Sequence, residues 1–256
     1  MKTTLTLSLL SFSIMTFAQN SIGKISYEEK VKLNIQLQGD FSEEIMSRLP
    51  KEKSENYELL FNKEESLYHP SKEQKEKPHS GSAFIQEDGA HVEIIAKKAS
   101  NETYYDLAKD HLVQKTDFMD RTFLIKGDIE AKSWKILPET KEILGYTCSK
   151  ATYMEDSTMF VAWYTTQLPS KIGPNRFIGL PGAILEVGTE DGERTITATN
   201  VELGTDYSDK IVPPKKGKEI SQAEFNKIKE EKFKEMQEEY GPNQGGGNVK
   251  VFIQKQ

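Results

Sequence analysis

Apolar and polar residues alternate along much of the chain, a pattern typical of strands that are buried on one face. Ile25, Tyr27 and Val31 follow this period of two near the N-terminus, and Tyr57 and Leu59 repeat it further along. The alternation predicts strands in both segments. Further strands are predicted at 84–85, 91–96, 103–107, 112–115, 122–125, 134–137, 148–153, 159–165, 183–187 and 194–203.

Turn-forming residues separate these segments, at 87–89, 126–128, 155–157 and 190–193. Short strands joined by hairpin-length turns predict an antiparallel sheet, and no regular alternation of strands with helices supports a parallel one. We therefore expect a mainly β fold built on a strongly curved antiparallel sheet, a half-barrel like that of lipoprotein carriers. The strands and their turns occupy 19–220, which we expect to form one antiparallel β domain.

Two helices accompany the predicted sheet. A short helix in the N-terminal half is capped by Asp40 or Ser42 and ends at Pro50. A second, amphipathic helix over 221–240 begins with a capping box, in which Ser221 is the N-cap and Glu224 lies three residues later. We expect this C-terminal helix to pack on the β domain.

Both ends of the chain carry segments of a different kind. The first 18 residues combine Lys2, a short apolar stretch and a small residue at Ala18, which predicts a secretory signal peptide cleaved after Ala18. The last segment, 241–256, is a Gly-rich linker in which Val249 and Val251 alternate with polar residues. This alternation indicates an edge strand at the C-terminus.

Charge and hydropathy exclude several classes of protein. The chain has 34 Lys and Arg against 40 Asp and Glu, a net charge of −6, whereas nucleic-acid binding requires a clustered basic excess. We therefore expect no nucleic-acid partner. No run of 18 apolar residues is present, so we expect no transmembrane segment in the mature chain and a soluble periplasmic or secreted product.

Candidate chemistry is sparse. Cys148 is the only cysteine, which excludes an intramolecular disulfide, and we expect a small buried side chain in a strand rather than a nucleophile. Common catalytic motifs are absent, so we expect no catalytic residue and no cofactor. His69 and His79 flank a charged segment at 70–81, where a weak metal site is an alternative to solvated loop histidines.

One motif stands out between 173 and 187. Pro181 fixes its own φ, while Gly179 and Gly182 can adopt positive φ without steric cost, so the segment predicts a tight corner that leads into a strand. Trp163 and Tyr164 lie at the end of the preceding predicted strand. The corner and Trp163 serve either as core packing and a turn, or as a rigid rim for a ligand or partner.

The segment around this corner resembles the GLPGLI family, a group of exported Bacteroidota proteins. The chain departs from the family name at Ala183, where the family has leucine. The resemblance implies export and supplies no catalytic residues. The residues that carry it, as structural or partner-docking positions, are Tyr146, Cys148, Trp163, Tyr164, Gly173, Pro174, Gly179, Leu180, Pro181 and Gly182.

Three functional hypotheses follow. The first is a periplasmic, non-enzymatic binding, carrier or accessory protein, with a lipid, a peptide or an outer-membrane transport protein as partner. The second is a secreted hydrolase with dispersed catalytic residues, which requires convergent acids or an exposed Cys148 beside a histidine. The third is a metal-handling protein that uses His69, His79 and nearby acids.

Overall fold

The computed structural model describes residues 21–33, 47, 49–72, 83–87, 90–96, 100–130, 132–168, 171–239 and 248–253, of which 83–87, 90–96, 236–239 and 248–253 are described by their backbone alone. The elements in chain order are β1 (Gly23–Lys32), β2 (Glu52–Phe61), β3 (Glu65–Pro70), β4 (Ala83–Glu87), β5 (Ala90–Ala96), β6 (Glu102–Asp106), β7 (His111–Phe118), β8 (Arg121–Asp128), β9 (Lys135–Ile143), β10 (Tyr146–Glu155), β11 (Thr158–Thr165), β12 (Ala183–Thr189), β13 (Arg194–Leu203), β14 (Lys218–Ile220), α1 (Gln222–Glu239) and β15 (Asn248–Ile253).

Twelve strands form one open sheet in the order β14-β8-β7-β6-β3-β2-β1-β13-β12-β11-β10-β9. Neighbouring strands are antiparallel except β14, which pairs with β8 in parallel. The remaining strands form a separate sheet in the order β15-β5-β4, with β15 parallel to β5. The predicted fold class, a mainly β protein with a curved antiparallel sheet and a C-terminal helix, is confirmed.

β1 lies in the middle of the large sheet, between β2 and β13. Tyr27 is opposite Tyr57 on β2, and Gly23 is opposite Leu203 on β13. The register shifts between Ser26 and Tyr27, and again in β11 beside β12. Such irregularities increase the local twist of a strand, so they favour a curved sheet.

The main core lies on the inner face of the sheet, which we define by Ile25, Tyr27, Tyr57 and Tyr68. Residues 171–182, here called the inner loop, cover this face over β10 to β12. Its side chains join the same apolar cluster, and Leu180 is only 1% exposed. The loop also reaches β6, where the Thr103 hydroxyl donates a buried hydrogen bond of 3.2 Å to the side chain of Asn175.

Two smaller clusters complete the packing. On β7 and β8, Phe225 of α1 packs against Phe118 and Phe123, with ring centroids 5.8 and 5.6 Å apart. Ile211, from the segment between β13 and β14, packs against another group of buried side chains. That group comprises Leu60, Leu67, Tyr104, Val113 and Leu124.

Several predicted boundaries differ from the structure. β3 was not predicted, because its sequence ESLYHP shows no sustained alternation, and β14 is only three residues long. β9 extends to Ile143, well beyond the predicted end at 137, since polar residues fill an exposed edge strand. The predicted signal peptide and most of the predicted short helix before Pro50 lie outside the described residues. Within that predicted helix, Ser47 is the one described residue assigned as helical.

No helix in the described part of the chain is both long enough and apolar enough to cross a membrane.

Candidate functional site

The ends of several neighbouring strands lie side by side at one end of the inner face, and we call this end the rim. Antiparallel pairing brings the C-terminal ends of β1 and β10 to the same side as the N-terminal ends of β2, β11 and β13. Thus Val31 is opposite both Lys53 and Arg194, and Tyr153 is opposite Phe160. The rim collects the charged side chains that the ends of these strands carry.

The first group at the rim is the Glu155 cluster, which comprises Glu155, Lys132, Tyr153 and Arg176. Glu155 is the last residue of β10. Its carboxylate accepts hydrogen bonds from the Lys132 ammonium at 3.1 Å and the Tyr153 hydroxyl at 3.2 Å. It also accepts a close hydrogen bond from the Arg176 guanidinium. One carboxylate therefore connects β10, the inner loop and the segment before β9.

Aromatic rings pack against the buried side of the Glu155 cluster. The Tyr153 ring stacks on Phe160 with centroids 5.1 Å apart, and Trp134 meets Tyr153 edge-on at 4.7 Å. The Trp134 indole N–H donates to the Ile178 carbonyl oxygen at 2.9 Å, which attaches this wall to the inner loop. Because aromatic side chains have few rotatable bonds, the charged groups above them are held in fixed positions.

The second group at the rim is a buried ion pair beside stacked tyrosines. Glu29 is 2% exposed and accepts a hydrogen bond from the Arg194 Nε at 2.9 Å. The rings of Tyr57 and Tyr68 stack nearby with centroids 4.7 Å apart. The Tyr68 hydroxyl is buried and has no hydrogen-bond partner among the described residues. Burying a hydroxyl without a hydrogen-bond partner costs free energy, so the Tyr68 hydroxyl is an unsatisfied polar group beside the ion pair.

Electrostatics define the charge state of the rim. Burial alone would raise the pKa of Glu155, but the Arg176 charge and the hydrogen bond from Lys132 outweigh it, and the pKa lies below its usual range. Burial raises the pKa of Tyr68 and Tyr153 well above the ordinary value. At neutral pH the carboxylate is therefore ionised, and both tyrosine hydroxyls are neutral.

The predicted corner is an internal part of the fold. Gly179 has φ +96°, as predicted, but the prediction of positive φ at Gly182 is wrong. Glycine is required there for a different reason, since a Cβ on Gly182 would lie 2.0 Å from the Thr165 carbonyl oxygen. A docking role for the corner would require an exposed Leu180, yet its side chain is buried in the core.

Backbone hydrogen bonds close the inner loop on itself. The Lys171 N–H donates to the Leu180 carbonyl oxygen at 3.2 Å, and the Ile184 N–H donates to the Ile172 carbonyl oxygen at 3.1 Å. Gly173 and Pro174 are buried within this loop, whereas Pro181 is exposed. A Cβ on Gly173 would lie 2.1 Å from a backbone oxygen of the loop, which leaves room only for glycine.

The other residues of the predicted motif lie away from the Glu155 cluster. Tyr146 and Trp163 pack against the main core, Tyr164 is buried, and the Lys141 ammonium lies 4.6 Å from the centroid of the Trp163 ring. Cys148 is fully buried, and burial raises the pKa of its thiol to about 11. A thiol of that pKa is almost wholly protonated at neutral pH, so it is a poor nucleophile.

The sequence-based interpretation missed the charged residues of the rim. The sequence predicts a turn at 155–157, whereas Glu155 is the last residue of β10 and accepts the three hydrogen bonds of the cluster. Neither Arg176 nor Lys132 belongs to any periodic pattern. Their positions follow from long-range pairing, so the only available sequence signal was the placement of an acid at a strand end.

The alternative of a weak metal site at His69 and His79 receives no support from the described residues. Among them, no group of three or more His, Cys, Asp or Glu side chains is placed to hold a metal ion. His69 Nδ1 lies 2.9 Å from the Pro70 carbonyl oxygen, and its Nε2 lies 3.9 Å from Glu58. His79 and most of the charged segment at 70–81 lie outside the described residues.

These features define a class of protein: an open, curved antiparallel sheet whose inner face is filled by its own loop and ends in a charged, aromatic-backed rim. The model of one family, described as the N-terminal domain of N-glycanase peptide (PNGase F-II), matches residues 81–226. Because that match spans more than half of the 256 residues, the chain belongs to this family. A comparison with curated proteins finds no match.

Solved structures of PNGF-II share the fold. The structure in space group P21 aligns with a TM-score of 0.50 and 16% identity, over 82% of this chain and 33% of that chain. The structure in space group C2 aligns with a TM-score of 0.52 and 16% identity, over 81% of this chain and 32% of that chain. The chain therefore spans about a third of the length of the PNGF-II chains that it matches.

These comparisons correct two predictions. The resemblance to the GLPGLI family is wrong, because the matching family is the PNGase F-II N-terminal domain. The predicted role as a general periplasmic binding, carrier or accessory protein is wrong for the same reason, since the matching family and solved structures are those of an N-glycanase. Neither the hydrolase with dispersed residues nor the metal-handling protein is favoured. The expected lipid, peptide or transport-protein partner stays a prediction.

Proposed function

We propose that this chain is a non-catalytic domain that recognises N-linked glycans on glycoproteins, with the rim as the glycan-facing surface. Its membership of a family named for an N-glycanase carries the proposal. The family model describes an N-terminal domain, and the chain corresponds to a third of PNGF-II. A recognition role for a single domain of such an enzyme is therefore favoured over the complete reaction.

The chemistry of the rim supports glycan binding. Sugars offer hydroxyl and amide oxygens that accept hydrogen bonds, and planar or charged side chains on a rigid support recognise such groups best. The Glu155 cluster offers cationic donors fixed by one carboxylate and backed by Tyr153. Its groups already pair with one another, and the buried thiol of Cys148 is protonated, which favours binding over catalysis.

We also propose that the chain is exported to the periplasm or secreted. The support is the N-terminal pattern of Lys2, an apolar stretch and a small residue at Ala18. N-terminal sequencing of the protein from its natural host should give Gln19 as the first residue. An intact Met1 in the mature product would contradict export.

Titration calorimetry tests the binding function. The purified chain should bind an N-glycosylated peptide and fail to bind the same peptide without its glycan, since the glycan supplies the contacts. Lys132→Gln should weaken this binding because it removes one of the two cations of the Glu155 cluster. Lys150→Gln is the matched control, because Lys150 pairs with Glu139 at 3.4 Å elsewhere on the sheet.

Two results would contradict the proposal. Equal or absent binding of both peptides would remove the glycan-recognition role. Release of the glycan during a long incubation, detected by mass spectrometry of the peptide, would show that the chain is catalytic.

A further inference from the structure

We infer that the Glu155 cluster accepts an anionic group of the glycan, namely the carboxylate of an acidic terminal sugar. This inference rests on the proposed glycan-recognition function and specifies the substrate class of the same site. Its basis is the balance of charge and hydrogen-bond capacity within the Glu155 cluster.

The Glu155 cluster carries more positive than negative charge. The single carboxylate of Glu155 faces both the Arg176 guanidinium and the Lys132 ammonium. Two other ion pairs at the rim match one cation to one carboxylate, because Glu29 pairs with Arg194 and Lys53 lies 2.9 Å from Glu55. The Glu155 cluster differs from them in having two cations around one carboxylate, in a chain whose net charge is −6.

Unused hydrogen-bond donors accompany this charge. A guanidinium has five N–H groups in a planar fork, and Arg176 makes its one described hydrogen bond through Nη2 to Glu155. Its side chain is 42% exposed, so part of it is accessible to a ligand. Lys132 likewise makes its described hydrogen bond to Glu155 alone. The site therefore offers donors and has little acceptor capacity left.

The geometry favours a charged substituent over a sugar ring. The Tyr153 and Phe160 rings are buried and stacked on each other, so they offer no open face to a sugar. The Arg176 guanidinium is held near the inner loop by its hydrogen bond to Glu155 and lies 5.8 Å from the centroid of the Phe177 ring. A planar carboxylate matches a guanidinium fork through two parallel hydrogen bonds, whereas a neutral acetamide oxygen makes fewer contacts and gains less Coulomb energy.

The test compares two forms of one glycopeptide by titration calorimetry of the full chain at low ionic strength. One form carries sialic acid at its glycan termini, and the other is the same glycopeptide after sialidase treatment. We expect about tenfold tighter binding of the sialylated form, the size of one charge-assisted hydrogen-bonded pair. The difference should shrink in high salt, since exposed charges are screened.

Variants of Arg176 locate the effect. Arg176→Gln should remove the preference, so that the variant binds both forms with equal affinity. Arg176→Lys keeps the charge without the fork and should retain part of the preference. Lys150→Gln changes the net charge equally at a remote ion pair and should retain all of it. Equal melting temperatures confirm that each variant is folded.

Each outcome decides between the inference and the function on which it rests. Equal binding of the two forms by the unmodified chain, or an unchanged preference in a folded Arg176→Gln protein, would overturn the anionic subsite and leave glycan recognition intact. Failure to bind either form would overturn glycan recognition itself.

Discussion

The inner face of the large sheet is covered by two unlike structures. Over β10 to β12 the inner loop is closed by its own backbone hydrogen bonds and contains glycines that approach other backbone segments within contact distance. Over β7 and β8 the cover is α1, which contacts the sheet mainly through the partly buried Phe225 and Ile228. The inner loop is therefore part of the main core, whereas α1 packs on the sheet through a few side chains.

This difference has an energetic meaning. A loop whose backbone passes close to strands tolerates no added atoms, because neither side can move without breaking sheet hydrogen bonds. A helix that packs through partly exposed side chains can shift to accommodate a change. We expect substitutions in the inner loop to lower the stability of the whole sheet, and equivalent substitutions in α1 to lower only the stability of the helix and the strands beneath it.

The largest effect is expected from Leu180→Ala. Truncation of a fully buried leucine in the inner loop should lower the free energy of unfolding by roughly 2–5 kcal/mol, since it removes apolar contacts and leaves a cavity. Urea denaturation measures the loss. Labelling of the buried Cys148 thiol, slow in the unmodified protein, should become faster because this half of the core opens more often. A loss below about 0.5 kcal/mol would show that the loop is a separate cover, like α1.

Gly182→Ala should have the next largest effect, roughly 1–3 kcal/mol, because its Cβ would meet the Thr165 carbonyl oxygen at 2.0 Å. Gly179→Ala is the matched control in the same loop. Nothing lies within 4 Å of its Cβ, so only the positive φ is penalised, by about 1 kcal/mol. Thermal or urea unfolding of both variants gives the order, and a larger loss at Gly179 would contradict the close-approach explanation.

Phe225→Ala tests the helix side of the comparison. This partly buried ring contacts Phe118 and Phe123, so its removal should cost about 1–2 kcal/mol of transfer free energy. The rate of Cys148 labelling should stay at the value of the unmodified protein, because α1 does not cover that part of the core. Faster labelling would show that the two halves of the sheet open together.

The smallest effect is expected at a position that neither structure covers. Leu144 is the first residue of the two-residue turn between β9 and β10, with φ +53°, and it is 46% exposed. Leucine is strained in this left-handed conformation, whereas asparagine before glycine suits such a turn. Leu144→Asn should raise the free energy of unfolding by about 0.5–1 kcal/mol.

The hairpin between β10 and β11 provides the control for Leu144→Asn. Asp156 occupies the corresponding position with φ +51° and already tolerates it, so Asp156→Asn should leave the unfolding midpoint unchanged. A destabilised Leu144→Asn protein would mean that the leucine makes a contact that offsets the strain.

Local patterns were sufficient to predict most strands and the C-terminal helix. The alternation of Ile25 and Tyr27 reports burial on one face, and the capping box at Ser221 forms as predicted, with the Glu224 N–H donating to the Ser221 hydroxyl at 3.2 Å. The order of strands was beyond sequence reasoning, because β1 pairs with residues 180 positions away, as at Gly23 and Leu203 (203 − 23). Pairing at that distance leaves no periodic signal.

The candidate site and the family were harder to predict for a related reason. Glu155, Lys132 and Arg176 come together only once the sheet has curved, and each alone looks like a solvated charge. The Gly-Leu-Pro-Gly segment reports the local demands of a corner, positive φ at Gly179 and absence of a Cβ at Gly182. Because unrelated corners share those demands, a short match of this kind does not identify a family.

The central position of β1 has a consequence for how the chain folds. One side of the large sheet is built mainly from β2 to β8, and the other is the continuous meander β9 to β13. Each side consists largely of short-range hairpins, which form quickly, whereas β1 has to pair with both. β1 is therefore the joint between two independently forming units, and assembly waits until β13, which ends at Leu203, is available. Folding should be limited by this joining step, and a chain that lacks β1 should yield two unjoined sheets with exposed edges.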